Sequence, residues 1–198
     1  TAGHFNVANR DVADIWHLAG QYFIRIGDYS SAVFCMKNDI VVSEQVYSEE
    51  STDLAAGLNN LGLLLYHMGE YKDARPFFER ALAINEKALG PDHPDTAQSL
   101  NNLGALLQAM GDLAGARPFF ERALAIREKA LGPDHPDTAT SLNNLGGLLL
   151  AMGDLPAARP LYERALAIRE IALGLDHPDT ASSLNNFGLL LQDMGDLP

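Results

Sequence analysis

The sequence predicts an all-α protein built as a stack of antiparallel helix pairs, and three observations carry that expectation. First, Asn59, Asn101, Asn143 and Asn185 lie 42 residues apart, and Arg75, Arg117 and Arg159 keep the same step, as do His93, His135 and His177. A fixed period of this size marks copies of one supersecondary unit, none able to bury its apolar face alone. Second, within a copy Leu100, Leu103, Gly104 and Leu107 fall on one stripe of a helix. Third, Met110–Gly111 ends that stripe, and a second apolar stretch runs to Gly132–Pro133, so one copy holds two helices joined by a turn. The 198 residues hold about four copies, above the roughly three that a stable stack needs.

Taken in order, residues 1–10 show no period and are expected to be a lead-in. Residues 11–52 form a degenerate first copy, in which Trp16, Gly20 and Gly27 stand 42 positions before Leu58, Gly62 and Gly69. Copies two, three and four occupy 53–94, 95–136 and 137–178, and 179–198 supplies the first helix of a truncated fifth. Paired helices are expected near 11–26 and 29–47, 53–68 and 71–89, 95–110 and 113–131, 137–152 and 155–173, with a lone helix near 179–194. In copy three, Asp92 is the expected N-cap, with Asp95 three residues on in the manner of a capping box. Pro94 sits in the first turn, whose amides lack helical partners in any case. Gly111 is expected to take the left-handed closing conformation, and Asp112 to cap the second helix. Gly104 has no side chain, so the two helices can approach there. Pro76, Pro118 and Pro160 fall inside second helices, where a lost amide bond and a clash predict a bend.

Composition narrows the function. Net charge is −12, from 26 acidic and 14 basic side chains, which argues against nucleic acid, whose phosphates require basic neutralisation. Cys35 is the one cysteine; it cannot form an intrachain disulfide and falls in an apolar helical stretch, as a buried inert thiol would. No apolar run reaches membrane-spanning length and no signal peptide is visible, so a cytoplasmic setting without membrane contact is expected. No nucleophile–base pair, phosphate loop or paired catalytic carboxylates occur, so neither an enzyme nor a cofactor or small-molecule substrate is expected. The repeated His93, His135 and His177 are about 10 Å or more apart on helix-packing distances, too far to converge on one metal ion, and read as loop structure.

The small and large apolar positions identify the repeat. Trp16, Ala19, Gly20, Phe23, Ala32 and Met36 follow the spacing of a tetratricopeptide repeat, and so do Leu58, Leu61, Gly62, Leu65, Ala74, Phe78 and Ala81. A 42-residue period also lies in the range of HEAT and armadillo repeats, but the placing of Gly62, Ala74 and Ala81 decides for tetratricopeptide spacing. The run Asn-Asn-Leu-Gly, Met-Gly-Asp, then Glu-Arg-Ala-Leu-Ala-Ile-Arg-Glu-Lys-Ala-Leu-Gly-Pro-Asp-His-Pro-Asp-Thr-Ala, between Asn101 and Ala139, resembles the 42-residue repeats of the kinesin light chain family. The near-identity of successive copies resembles a microbial array. The resemblance implies a right-handed α-α superhelix that binds an extended peptide or protein in a concave groove. Chaperone-binding members of the wider family carry Lys where Asn59 and Asn101 stand here, so capture of a C-terminal carboxylate is not expected.

Two sets of site residues follow. On a helical wheel Asn101 lies about 100° from the apolar stripe, on the flank that lines the groove in such folds. Asn59, Asn101, Asn143 and Asn185 are therefore expected to form a ladder of partly exposed amides holding a peptide backbone, since a primary amide both donates and accepts. Their neighbours Leu63, Ala105, Gly147, Tyr66, Gln108 and Gln192 are expected to set selectivity. The second set is Leu184, Phe187, Leu190 and Leu191 in the last helix, which repeat the interior apolar pattern. Asp196–Leu197–Pro198 matches Asp154–Leu155–Pro156, where another helix begins. Further repeats beyond this point, or a second chain covering the open face, are expected. Head-to-tail self-association into a filament or scaffold is the alternative function.

Overall fold

The computed structural model describes the backbone of residues 2–46 and 51–195, with side chains from residue 11 onward. Asp196–Leu197–Pro198, where the next helix was expected to begin, lies outside the described residues. Among those residues there are nine α-helices and no strand. They belong to two compact units, Thr1–Pro91 and Asp92–Pro198. The first holds α1 (Ala2–Arg25), α2 (Tyr29–Val46), α3 (Thr52–His67) and α4 (Tyr71–Ala88). The second holds α5 (Pro94–Ala109), α6 (Leu113–Leu131), α7 (Pro136–Ala151), α8 (Leu155–Leu173) and α9 (Pro178–Met194). In the first unit α2 packs on α1 and on α3, and α4 on α3; in the second, the second helix of each pair (helix B; α6, α8) packs on its own first helix (helix A; α5, α7) and on the helix A that follows (α7, α9). In the second unit, α7 also touches α5 and α9.

Local chemistry sets the boundaries. Each of α5, α7 and α9 starts on Pro at its first position, preceded by an N-cap histidine (His93, His135, His177). The ring Nδ1 accepts the backbone N–H of Asp95, Asp137 or Asp179 at 3.1 Å. This corrects the assignment of Asp92 as the cap: the imidazole reaches the orphan amide, and Asp92 instead accepts from Lys129 Nζ. The accepting Nδ1 places the proton on Nε2. Helix A ends on a left-handed glycine, Gly111 at φ 85° in copy three, and Asp112 Oδ1 then accepts from Gly115 N at 2.9 Å to start α6. Helices α4, α6 and α8 run unbroken through Pro76, Pro118 and Pro160. Helix α1 starts at Ala2 rather than near residue 11; residues 4–10 contain neither Gly nor Pro to stop a helix growing backward.

The core repeats with the sequence. Ala74, Ala116 and Ala158 are fully buried, as are Ala81, Ala123 and Ala165. Phe78, Phe120 and Tyr162 fill the centre of each pair. A Cβ on Gly104 would lie 2.8 Å from the Phe120 ring, and one on Gly62 2.7 Å from Phe78, so the bare backbone is what admits the aromatic. Burying each ring contributes about 2–3 kcal/mol. Cys35 is buried as expected, and burial pushes its thiol pKa up, with Asp28 adding to the shift.

Candidate functional site

The A helices carry the candidate site. In the second unit, Asn101 on α5 and Asn143 on α7 are 3% and 7% exposed. Asn101 Nδ2 donates to Ser141 Oγ of α7 at 3.0 Å, and Asn143 Nδ2 donates to Ser183 Oγ of α9 at 2.7 Å. The expectation of partly exposed ladder amides is therefore corrected at these two positions. A serine one period on stands within reach, and a buried amide is held by a partner rather than left for solvent. Asn59 is half-buried and Asn185 is exposed.

Two residues that the sequence reading missed complete this lock. Arg127 of α6, 4% exposed, donates through Nη1 to Ser141 Oγ at 3.1 Å and to the Asp137 carbonyl at 3.0 Å, and through Nη2 to Gln98 Oε1 at 2.7 Å. Arg169 of α8 repeats the arrangement on Ser183 Oγ at 2.9 Å, the Asp179 carbonyl at 2.9 Å and Thr140 Oγ1 at 3.0 Å. Burial lowers the pKa of both guanidiniums, with the nearby Asp137 and Asp179 opposing the shift. One helix B thus ties together two successive A helices. The signal was in the sequence: Arg127 and Arg169 keep the period and recur with Ser141 and Ser183.

The A helices of both units also carry shallower positions. Leu63 and Tyr66 on α3, Ala105 and Gln108 on α5, and Gly147 on α7 are all half-buried, and Gln192 on α9 is exposed. The backbone of Gly147 lies over the Tyr162 hydroxyl, which a Cβ there would meet at 3.3 Å. The Tyr66 ring stands edge-on to His67 and tilted to Tyr71, both at 5.5 Å. In the first unit, two adjoining cavities of about 440 and 340 Å³ open between α1, α2 and α3, and His17 and Asn60 line both. Leu63 lines the larger.

The second expected set is divided by the structure. Leu184 is 45% exposed, while Phe187 and Leu191 are half-buried, Phe187 against the core. Leu190 is fully buried in that core with Tyr162 and Leu148. Its assignment to a self-association surface is corrected, because its helical position turns it toward α8 and α7. Among the described residues, no three His, Cys, Asp or Glu side chains group as metal ligands would, and no helix is long and apolar enough to cross a membrane.

Helix pairs that repeat every 42 residues and are tied by a recurring Asn–Ser–Arg lock define an α-helical repeat protein. The tetratricopeptide repeat family matches residues 53–129, 99–171 and 143–198 in overlapping stretches, and the chain belongs to that family. Its fold is similar to that of BtubC (BKLC) from P. vanneervenii, at 24% identity and a TM-score of 0.82, over 98% of this chain and 78% of that one. It is also similar to a Podosopora anserina putative kinesin light chain with nearly identical TPR-like repeats, at 23% identity and a TM-score of 0.75, over 96% and 89%. A Rap protein complexed with Competence and Sporulation Factor shares the fold at 17% identity and a TM-score of 0.77, over 93% of this chain and 49% of that one. No curated protein sequence matches the chain.

Proposed function

We propose that the chain is a non-catalytic interaction module whose A-helix faces hold an extended peptide segment of a protein partner. The observation that carries this reading is the set of half-buried side chains at Ala105, Gln108 and Gly147 in the second unit, with Leu63 and Tyr66 at the matching sequence positions of the first. They recur at fixed register and differ between copies, as selectivity positions on a repeated frame do. In the second unit the buried Asn–Ser–Arg locks support it by fixing the spacing of α5, α7 and α9, so that Ala105, Gln108 and Gly147 are presented on a rigid base. The similar Rap structure, solved with Competence and Sporulation Factor, is a further support. Asn101 and Asn143 belong to the frame and not to the contact. The acidic balance of −12 favours a basic partner through long-range attraction and disfavours an acidic one, leaving a neutral partner unopposed.

The test is selection of binders from a random peptide display library, followed by titration of the selected peptides against Ala105→Leu/Gln108→Ala. The first change is to a residue that fits the repeat, since Leu already occupies the equivalent position at 63 and 189, and the second truncates a half-buried side chain at a position that varies between copies. The reading expects a loss of about tenfold or more in affinity, as for removal of central contacts. Unchanged affinity overturns it.

Self-association is favoured by a separate observation. Ile15, Leu18 and Tyr22 of α1 are 63%, 64% and 58% exposed at helical spacing, an apolar stripe of the kind that marks an interface. Sedimentation that grows with concentration and reverts in Leu18→Glu supports this second reading; a concentration-independent monomer removes it.

A further inference from the structure

In the second unit a guanidinium closes each junction between successive A helices. Arg127 is held by the Asp137 carbonyl, Ser141 Oγ and Gln98 Oε1, and Arg169 by the matching groups. Two periods earlier, 84 residues back, the same positions fall at the α1–α2–α3 junction. There Ser43 stands for Arg127, Gly57 for Ser141, Asp14 for Gln98, Asp53 for Asp137 and His17 for Asn101. The long cation and the hydroxyl it binds are both gone. Carboxylates replace the neutral groups, with Asp14 for a glutamine and Asp39 for Ala123.

The structure has a cavity of about 340 Å³ at this place, lined by Asp14, His17, Asp39, Ser43, Asp53 and Gly57 among others. Three aspartates and one basic residue, His17, are among its lining, and His17 Nδ1 lies 3.4 Å from Asp39 Oδ2. Burial pushes the Asp39 carboxyl above the usual aspartate value; His17 and Ser43 oppose this, and Asp14 adds to it. A partly buried carboxylate short of cationic partners is costly, and an arriving cation relieves that cost. The first unit's Arg75 and Arg80 are paired with Glu79 and Glu44. The adjoining cavity of about 440 Å³ is walled by Ile24, Met36, Leu63, Leu64 and Met68.

We propose that the smaller cavity is a guanidinium-binding site that receives the arginine side chain of a bound peptide, with an adjacent large apolar side chain entering the larger cavity. The proposal rests on the peptide-binding reading above and assigns the residue class that the first junction selects. Arginine is favoured over lysine because the matching berths each use two nitrogens of a planar fork, on partners set at its corners.

The test titrates N-acetyl-phenylalanyl-arginine amide and its citrulline counterpart into the whole chain by calorimetry at low salt. The citrulline probe keeps shape and removes charge. The arginine probe is expected to bind about tenfold or more tighter, the effect of a charge-assisted hydrogen-bonded contact. Ser43→Arg/Gly57→Ser rebuilds the chain's own lock and is expected to abolish the preference while raising Tm. Asp14→Asn, an exposed change that spares the fold, is expected to weaken the arginine probe several-fold and leave citrulline alone, and it decides the matter if the double variant does not fold. Equal binding of the two probes, or an undiminished arginine preference in folded Ser43→Arg/Gly57→Ser or in Asp14→Asn, overturns the proposal. Library-selected peptides that still lose affinity on Ala105→Leu/Gln108→Ala, while the probes show no arginine preference, leave the peptide-binding reading standing and this one fallen.

Discussion

Asn101 shows how a residue's role turns on one neighbour. Its amide reads on a helical wheel as facing a groove, and in the structure Ser141 Oγ takes it at 3.0 Å. Asn101→Ala is accordingly expected to cost about 1–2 kcal/mol of stability, measured by urea unfolding, and to leave peptide affinity unchanged. A ladder of exposed amides would give the reverse result. Arg127→Ala should cost more, about 2–3 kcal/mol, because it strips a charged donor from three buried or half-buried acceptors at once. Arg127 escaped notice because nothing local marks it among the charged residues of α6; its meaning lies in a serine 14 residues on. Asp39 gives a pH signature. Its pKa is raised in the folded chain by burial, so the folded state takes up that proton at a higher pH than the unfolded state does. Stability from this group is therefore full below the ordinary aspartate range and is lost as pH rises through the raised value. Asp39→Asn should remove that fall and be the more stable chain at neutral pH, which parallel thermal melts across pH will check.

At the scale of the helix, boundaries followed from caps and stops. Gly111, Asp112 and Gly132–Pro133 are local signals, and the observed α6, Leu113–Leu131, has the expected limits. The cap of α5 was legible only in part. Asp92 and His93 both precede Pro94, and only geometry distinguishes the ring that meets the Asp95 amide from the carboxylate that meets Lys129. His135→Ala should therefore cost about 0.5–2 kcal/mol, the range for loss of a capping side chain, whereas Asp134→Ala should be close to neutral. Pro118 lies inside α6 with no N–H to offer Ala114. Pro118→Ala restores that bond and removes the ring clash, and it is offset by a more flexible unfolded chain. The expected net gain is about 1–2 kcal/mol, read as a raised urea midpoint at constant slope.

At the scale of the molecule, the period of 42 made the architecture legible, because near-identical copies must bury near-identical faces. The first unit was the least legible. Its first copy replaces the lock residues by His17, Ser43 and Gly57, and cavities stand there in place of packed side chains. A partner peptide held on the A-helix faces must lie within reach of a probe placed there. Photo-crosslinking probes this, with p-benzoylphenylalanine placed at Gln108 on α5 or at Ala125 on α6, which is exposed on helix B, and a library-selected peptide as the target. A crosslinked product is expected from position 108 and none from 125. Crosslinking from 125 alone, or equally from both positions, contradicts binding on the A-helix faces.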